Sequence, residues 1–158
     1  MNSECVRIAG QLTSAFTADP WHGPPLRELL TGLTAVQASN RPLPSAHTIW
    51  ELVVHIELYV NLAFEALHGT PMPKWYGTEK DWPPIADTTA AAWQATTDTL
   101  FRSAGRLALA IEGFTDERLR HTVPGRDYDF YYLFHGIVQH SLYHAGQIAM
   151  LRRAVLKQ

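Results

Sequence analysis

Eight histidines are spread over 158 residues, and two of them, His140 and His144, stand four positions apart. On a helix that spacing stacks the two side chains on one face with their Cβ atoms about 6 Å apart, so both rings can turn toward one ion. Neutral imidazole is a common biological donor to zinc, nickel and iron, and bonds of about 2.0–2.1 Å demand such convergence. Chance alone gives roughly 0.4 such pairs in a chain with this many histidines, so the spacing gains meaning only from where it falls. Leu133 and Ile137 precede the pair and Ile148 and Leu151 follow it at helical intervals, which puts both rings on the face that enters the core. A third histidine, His55, lies between Leu52 and Tyr59, with Leu58 and Leu62 on the same side. If its helix lies beside the other, three neutral nitrogens from two rigid elements meet one divalent transition metal, zinc or nickel by preference. Three ligands leave the remaining positions of the ion open, as in a catalytic rather than a closed structural site.

Each of these histidines has a competing reading as a hydrogen-bonded core side chain, because a buried imidazole needs a partner of some kind. The H-x-x-x-H pair is also shared with zinc peptidases, but their general base is a Glu directly after the first His, and Ser141 stands there. His135, five residues before His140, is rotated by about 140° around the helix and off the metal-facing stripe. His68 sits beside Gly69 at a helix end, where partial positive charge suits the dipole. His22, His47 and His121 fall in or next to loops, and of these His47 is the candidate to line a pocket mouth.

Four long helical segments are expected to position these rings. Residues 4 to 18 place Cys5, Ile8, Leu12, Ala15 and Phe16 at helical spacing and stop at Asp19-Pro20. The Pro- and Gly-rich stretch from Trp21 to Pro44 reads as a connector whose LRELLTGLTAVQA core forms one or two short helices. Ser45 is the expected N-cap of a second long helix reaching about His68, with Leu52, Ile56, Tyr59, Ala63 and Leu67 in one stripe. The segment MPKWYGTEKDWPPI, 72 to 85, reads as loop, and two exposed tryptophans would be costly enough that it should pack down. Residues 88 to 113 repeat Trp93, Thr97, Leu100, Ala104, Leu107 and Ile111 at alternating intervals of four and three, the seam of a bundle helix. After a TVPGRDYD turn the last helix spans 130 to 154. No strict alternation and no internal repeat occur, so the expected fold class is all-α, a four-helix bundle in one domain over residues 1–158.

Composition narrows the function classes. Hydrophobic residues make up 46% and charged residues 18%, which fits a globular chain long enough for its own core. A net charge of -2 without blocks of like charge offers no footprint for nucleic acid or an anionic membrane surface. Arg152, Arg153 and Lys157 read as a solvated C-terminal turn rather than a phosphate-binding stripe. Cys5 is the single cysteine, so no intrachain disulfide and no cysteine-rich metal site can form. No run of about 18 apolar residues and no signal-peptide pattern is present, and the expected location is the cytoplasm.

The stretches HTIWELVVHI at 47–56 and GIVQHSLYHAGQIAMLRRA at 136–154 resemble the DinB-like (DinB/YfiT) superfamily of four-helix metalloproteins, and WHGPPL, DWPP and VPGRDYDF resemble a subgroup of it. The resemblance implies a metal triad of His55, His140 and His144, the same three that the periodicity proposes. It also implies an up-up-down-down topology, a homodimer and an open pocket at one end of the helices. Better-understood relatives include transferases and isomerases that use low-molecular-weight thiols. The expectation is therefore a metal-dependent enzyme on a small molecule, of the thiol S-transferase type. A non-catalytic, metal-stabilised dimeric binding or scaffold protein and a metal-dependent hydrolase stand as alternatives. Around the site, Tyr59 and Tyr143 are candidates to supply hydroxyls, Gln147 to pack or bond along the last helix, and Glu51 to orient a ring or face water.

Overall fold

A computed structural model describes residues 3–157 and shows an all-helical bundle. In chain order the α-helices are α1 (Glu4–Thr17), α2 (Leu26–Leu30), α3 (Ala35–Ser39), α4 (Ile49–Leu67), α5 (Ala90–Glu112) and α6 (Phe130–Val155). Short 3-10 turns at Glu79–Asp81 and Arg118–Arg120 interrupt the loops. Among the described residues the nearest approach to a sheet is a lone bridge between Thr122 and Asp129.

Each long helix starts on a side-chain cap that satisfies an otherwise orphaned N–H. Ser3 accepts from Val6, Thr89 from Ala92 and Asp129 from Tyr132. At α4 the cap is Thr48, not Ser45. The Thr48 hydroxyl accepts from the Glu51 N–H at 3.1 Å while the Glu51 carboxylate accepts from the Thr48 N–H at 2.8 Å. This reciprocal box satisfies two donors at once, whereas Ser45 has no acidic partner three residues on, so the helix begins three residues later than expected. The connector does contain two short helices, α2 and α3, the second also opened by a box, Thr34 with Gln37.

Long helices α5 and α6 each pack against both α1 and α4. One continuous core results, with Trp50, Phe16 and Phe134 the bulkiest of its fully buried side chains. The seam of α5 is buried at Trp93, Leu100, Ala104, Leu107 and Ile111, and Thr97 is half-buried. Trp93 and Trp50 meet at a centroid distance of 5.1 Å. Their ring N–H groups are satisfied by the Leu33 carbonyl and the Thr96 hydroxyl, so both large rings enter the core without an unpaired donor. Side by side, α4 and α6 carry the three histidines. Among the described residues no helix is long and apolar enough to cross a membrane.

The loop between α4 and α5 is pinned by the turn before α6. The Met72 N–H donates to the Pro124 carbonyl at 2.8 Å, the Arg126 guanidinium reaches the Pro73 carbonyl, and Met72 itself is buried. Gly125 makes this docking feasible. Its φ is +79°, and a Cβ there would lie 3.0 Å from the Met72 carbonyl oxygen.

Candidate metal centre

His55 reaches the site from the middle of α4, and His140 and His144 reach it from adjacent turns of α6. His55 and His144 are buried and His140 is half-buried. Nε2 of His140 lies 3.0 Å from Nε2 of His55 and 3.1 Å from Nε2 of His144. Two donors about 2.05 Å from one ion are separated by about 2.9 Å at a right angle and about 3.3 Å at a tetrahedral angle. The observed separations fall between those values.

Hydrogen-bond bookkeeping fixes which way the lone pairs point. Nδ1 of His55 donates to the main-chain carbonyl of Asp81 at 2.7 Å, an acceptor without a proton to give. Nδ1 of His144 donates to Oε1 of Gln147 at 2.7 Å. In a neutral ring whose Nδ1 carries the hydrogen, Nε2 is a bare lone pair. His140 Nε2 thus faces two bare nitrogens and can donate to only one of them, and its own Nδ1 is buried with no protein partner. An added proton is a poor remedy, because burial, reinforced by His144 and His55, pushes His140 down to about 3. Burial also lowers His55 and His144, against the opposing pull of the Asp81 carbonyl on the first and the Gln147 amide on the second. Three neutral nitrogens within 4.8 Å of one another in a partly buried pocket are a donor set that a cation satisfies, so the residues fit a metal ion.

The surroundings come largely from the 72–85 loop. Trp82 lies flat against His55, with centroids 3.9 Å apart and planes 7° apart, and His47 lies flat on its other face at 3.4 Å and 6°. The result is a three-ring stack with Trp82 in the middle and the candidate ligand His55 at its buried end. Asp81 is buried, its carboxylate accepting from the Tyr59 hydroxyl at 2.5 Å and the Gly77 N–H at 3.2 Å. Burial and that bond to Asp81 raise Tyr59 above the ordinary phenol range, so it stays protonated. These groups border a cavity of about 480 Å³, closed at its base by the histidines and flanked at its mouth by Tyr76 and Tyr143.

The expected placements divide clearly. His55, His140 and His144 come together, and His47 does stand in the pocket wall. His135 points away, 3.8 Å from the Glu4 carboxylate, and His68 lies exposed at the α4 terminus. Ser141 is buried with its hydroxyl on the Ile137 carbonyl, away from any base role. Glu51 is absorbed by the α4 cap and by Arg41 at 2.6 Å, and does not orient His55. Desolvation opposes those contacts, which nonetheless hold its carboxyl below the ordinary range. The orienting role passes to Asp81, which sequence reasoning missed. The residue sits in an aperiodic loop 26 positions from His55, and the one available signal was DWPP itself, an acidic residue beside a tryptophan that had to pack somewhere.

A family model described as the DinB superfamily matches residues 23–148, a span that includes all three histidines and Asp81. Comparison with curated proteins and with solved structures returned no match. Together, the convergent triad on two neighbouring helices and this match over most of the sequence place the protein: the chain belongs to the DinB superfamily.

Proposed function

We propose that the chain binds one divalent transition metal, zinc or nickel, through Nε2 of His55, His140 and His144, and acts as a metal-dependent enzyme that transfers a thiol sulfur to a small molecule. The observation that carries this reading is the convergence of three neutral Nε2 atoms, two of them with Nδ1 committed to an acceptor. A divalent ion held by three neutral ligands keeps its full charge and lowers a bound thiol well below its ordinary pKa of about 8.5, yielding a thiolate nucleophile near pH 7.

The chain's own residues supply the rest. Asp81 and Gln147 fix the two outer rings in the tautomer that presents Nε2 inward. Trp82 covers one face of His55 and keeps bulk water from that side of the site. Tyr59 retains its proton, held on Asp81. The thiol must come from outside, because Cys5 is fully buried on α1, hydrogen-bonded to Asp116, and pushed up to about 11 chiefly by burial. A homodimer in the cytoplasm, with neither nucleic acid nor membrane as partner, completes the proposal; the family resemblance and the near-neutral charge support it.

The test is turnover. Purified protein reconstituted with zinc or nickel is given a small thiol and an aromatic electrophile such as 1-chloro-2,4-dinitrobenzene, before and after chelation, with helicity followed by circular dichroism. Metal-dependent S-transfer lost on chelation while the helices persist is the expected result. Unfolding on chelation without any turnover makes the ion structural and refutes the enzyme.

A further inference from the structure

The cavity over the three histidines has an unusual charge balance for a site that would take a small biological thiol. None of its lining residues is Lys or Arg. Its one acidic side chain, Asp81, is buried and already accepts from Tyr59 and Gly77. Of the cations close in the chain, Arg41 is held by Glu51 and the Ala46 carbonyl, Arg126 by the Pro73 carbonyl, and Lys80 stands over the Trp75 ring at 5.7 Å, while the exposed Lys74 lies outside the lining. A ligand carboxylate held against these walls would shed water and meet no cationic side chain among them, a desolvation cost without recompense.

The walls, by contrast, are rings. Trp82 and His47 form a parallel stack on one side, and Tyr143, edge-on to His144 at 5.0 Å, stands on the other. Tyr143 is 66% exposed and Tyr76 is 89% exposed, so two large rings at the mouth present faces that a flat ligand would cover. The volume of about 480 Å³ lies within the usual span of small-molecule pockets, about 300–1,000 Å³.

We propose that this cavity selects a ligand with one anionic donor atom on an uncharged, ring-bearing body, and discriminates against thiols that carry free carboxylates. The inference rests on the metal reading above. The thiol binds as thiolate, its proton passing to solvent, and the single negative charge meets the ion while the ring meets the exposed faces of Tyr76 and Tyr143.

The experiment uses the full chain loaded with cobalt(II), whose thiolate charge-transfer absorption reports binding without turnover. Three probes are titrated: benzyl mercaptan, 4-(mercaptomethyl)benzoate, which differs by one carboxylate, and 2-mercaptoethanol, which lacks the ring. Benzyl mercaptan should bind roughly tenfold more tightly than either. Equal or tighter binding of the benzoate overturns the charge rule, and equal binding of 2-mercaptoethanol overturns the ring rule. Tyr143→Ala should keep full cobalt content and lose several-fold of the benzyl preference; an unchanged preference in both Tyr143→Ala and Tyr76→Ala also overturns the ring rule. Failure to take up cobalt at all is seen before any thiol is added and strikes the metal reading instead.

Discussion

Nδ1 of His55 and the main-chain carbonyl of Asp81 are 2.7 Å apart, and through that bond a proline-rich surface loop sets the orientation of a ring buried in a helix. The loop is held in turn by the Asp81 carboxylate, anchored to Tyr59 of the same helix four residues beyond His55. Loss of the carboxylate should therefore be felt as a loss of metal affinity although Asp81 offers no side-chain ligand. Asp81→Ala is expected to weaken metal binding by about 10- to 100-fold, the usual effect of removing a partner that orients a ligating histidine. Asp81→Asn, which keeps an acceptor for the Tyr59 hydroxyl, should recover part of it. Competition with a fluorescent chelator measures both, and unchanged affinity in Asp81→Ala would remove the loop from the site's construction.

The histidines themselves give the plainest expectation. His55→Ala and His144→Ala each remove one of three donors, leaving a two-nitrogen site too weak to retain the ion through purification. Metal analysis should find each variant with a small fraction of the wild-type content. Full stoichiometry retained in both would refute the triad.

The triad was legible in the sequence for a physical reason that does not extend to its surroundings. His140 and His144 share one helix face by spacing alone, and His55 shares a stripe with Leu52 and Tyr59, so periodicity ties ring direction to residue number. Asp81, Trp82 and Tyr76 lie in a segment without period, where direction is set by tertiary docking, of Met72 onto Pro124 and of Asp81 onto Tyr59, rather than by local spacing. The α4 start is a different case. Thr48 with Glu51 carries the capping-box pattern in the sequence, and it outcompetes Ser45 because two hydrogen bonds close there instead of one.

Acid should unfold the metal-free protein by way of the same rings. His55, His140 and His144 are held neutral by burial, so their folded pKa values lie below the ordinary value of 6.5, with His140 at about 3. As pH falls below 6.5 the unfolded chain takes up protons that the folded chain refuses. The stability present above 6.5 is therefore lost progressively toward the folded values. Urea melts of the metal-free protein at pH 7.5, 6.5 and 5.5 should show a falling midpoint, with a shallower fall in His140→Gln. An identical fall in that variant would assign the acid sensitivity to other groups.

Gly125 offers a test that touches the site only through the backbone. An alanine there must hold φ near +79°, which costs an L-residue about 1–2 kcal/mol. Its Cβ would also stand 3.0 Å from the Met72 carbonyl and 3.2 Å from the Met72 nitrogen, both backbone atoms that cannot swing aside. The turn and the 72–85 loop must then separate, straining the bond from Met72 to the Pro124 carbonyl and, nine residues on, the seat of Asp81. Gly125→Ala is expected to lower the unfolding free energy of the metal-free protein by about 2 kcal/mol or more, the backbone penalty plus the displaced contact. It should also weaken metal binding several-fold, while Gly105→Ala, on an open stretch of α5 with nothing near its Cβ, leaves metal affinity untouched. Destabilisation without any change in metal affinity would mean that the loop's grip on His55 is independent of the turn that braces it.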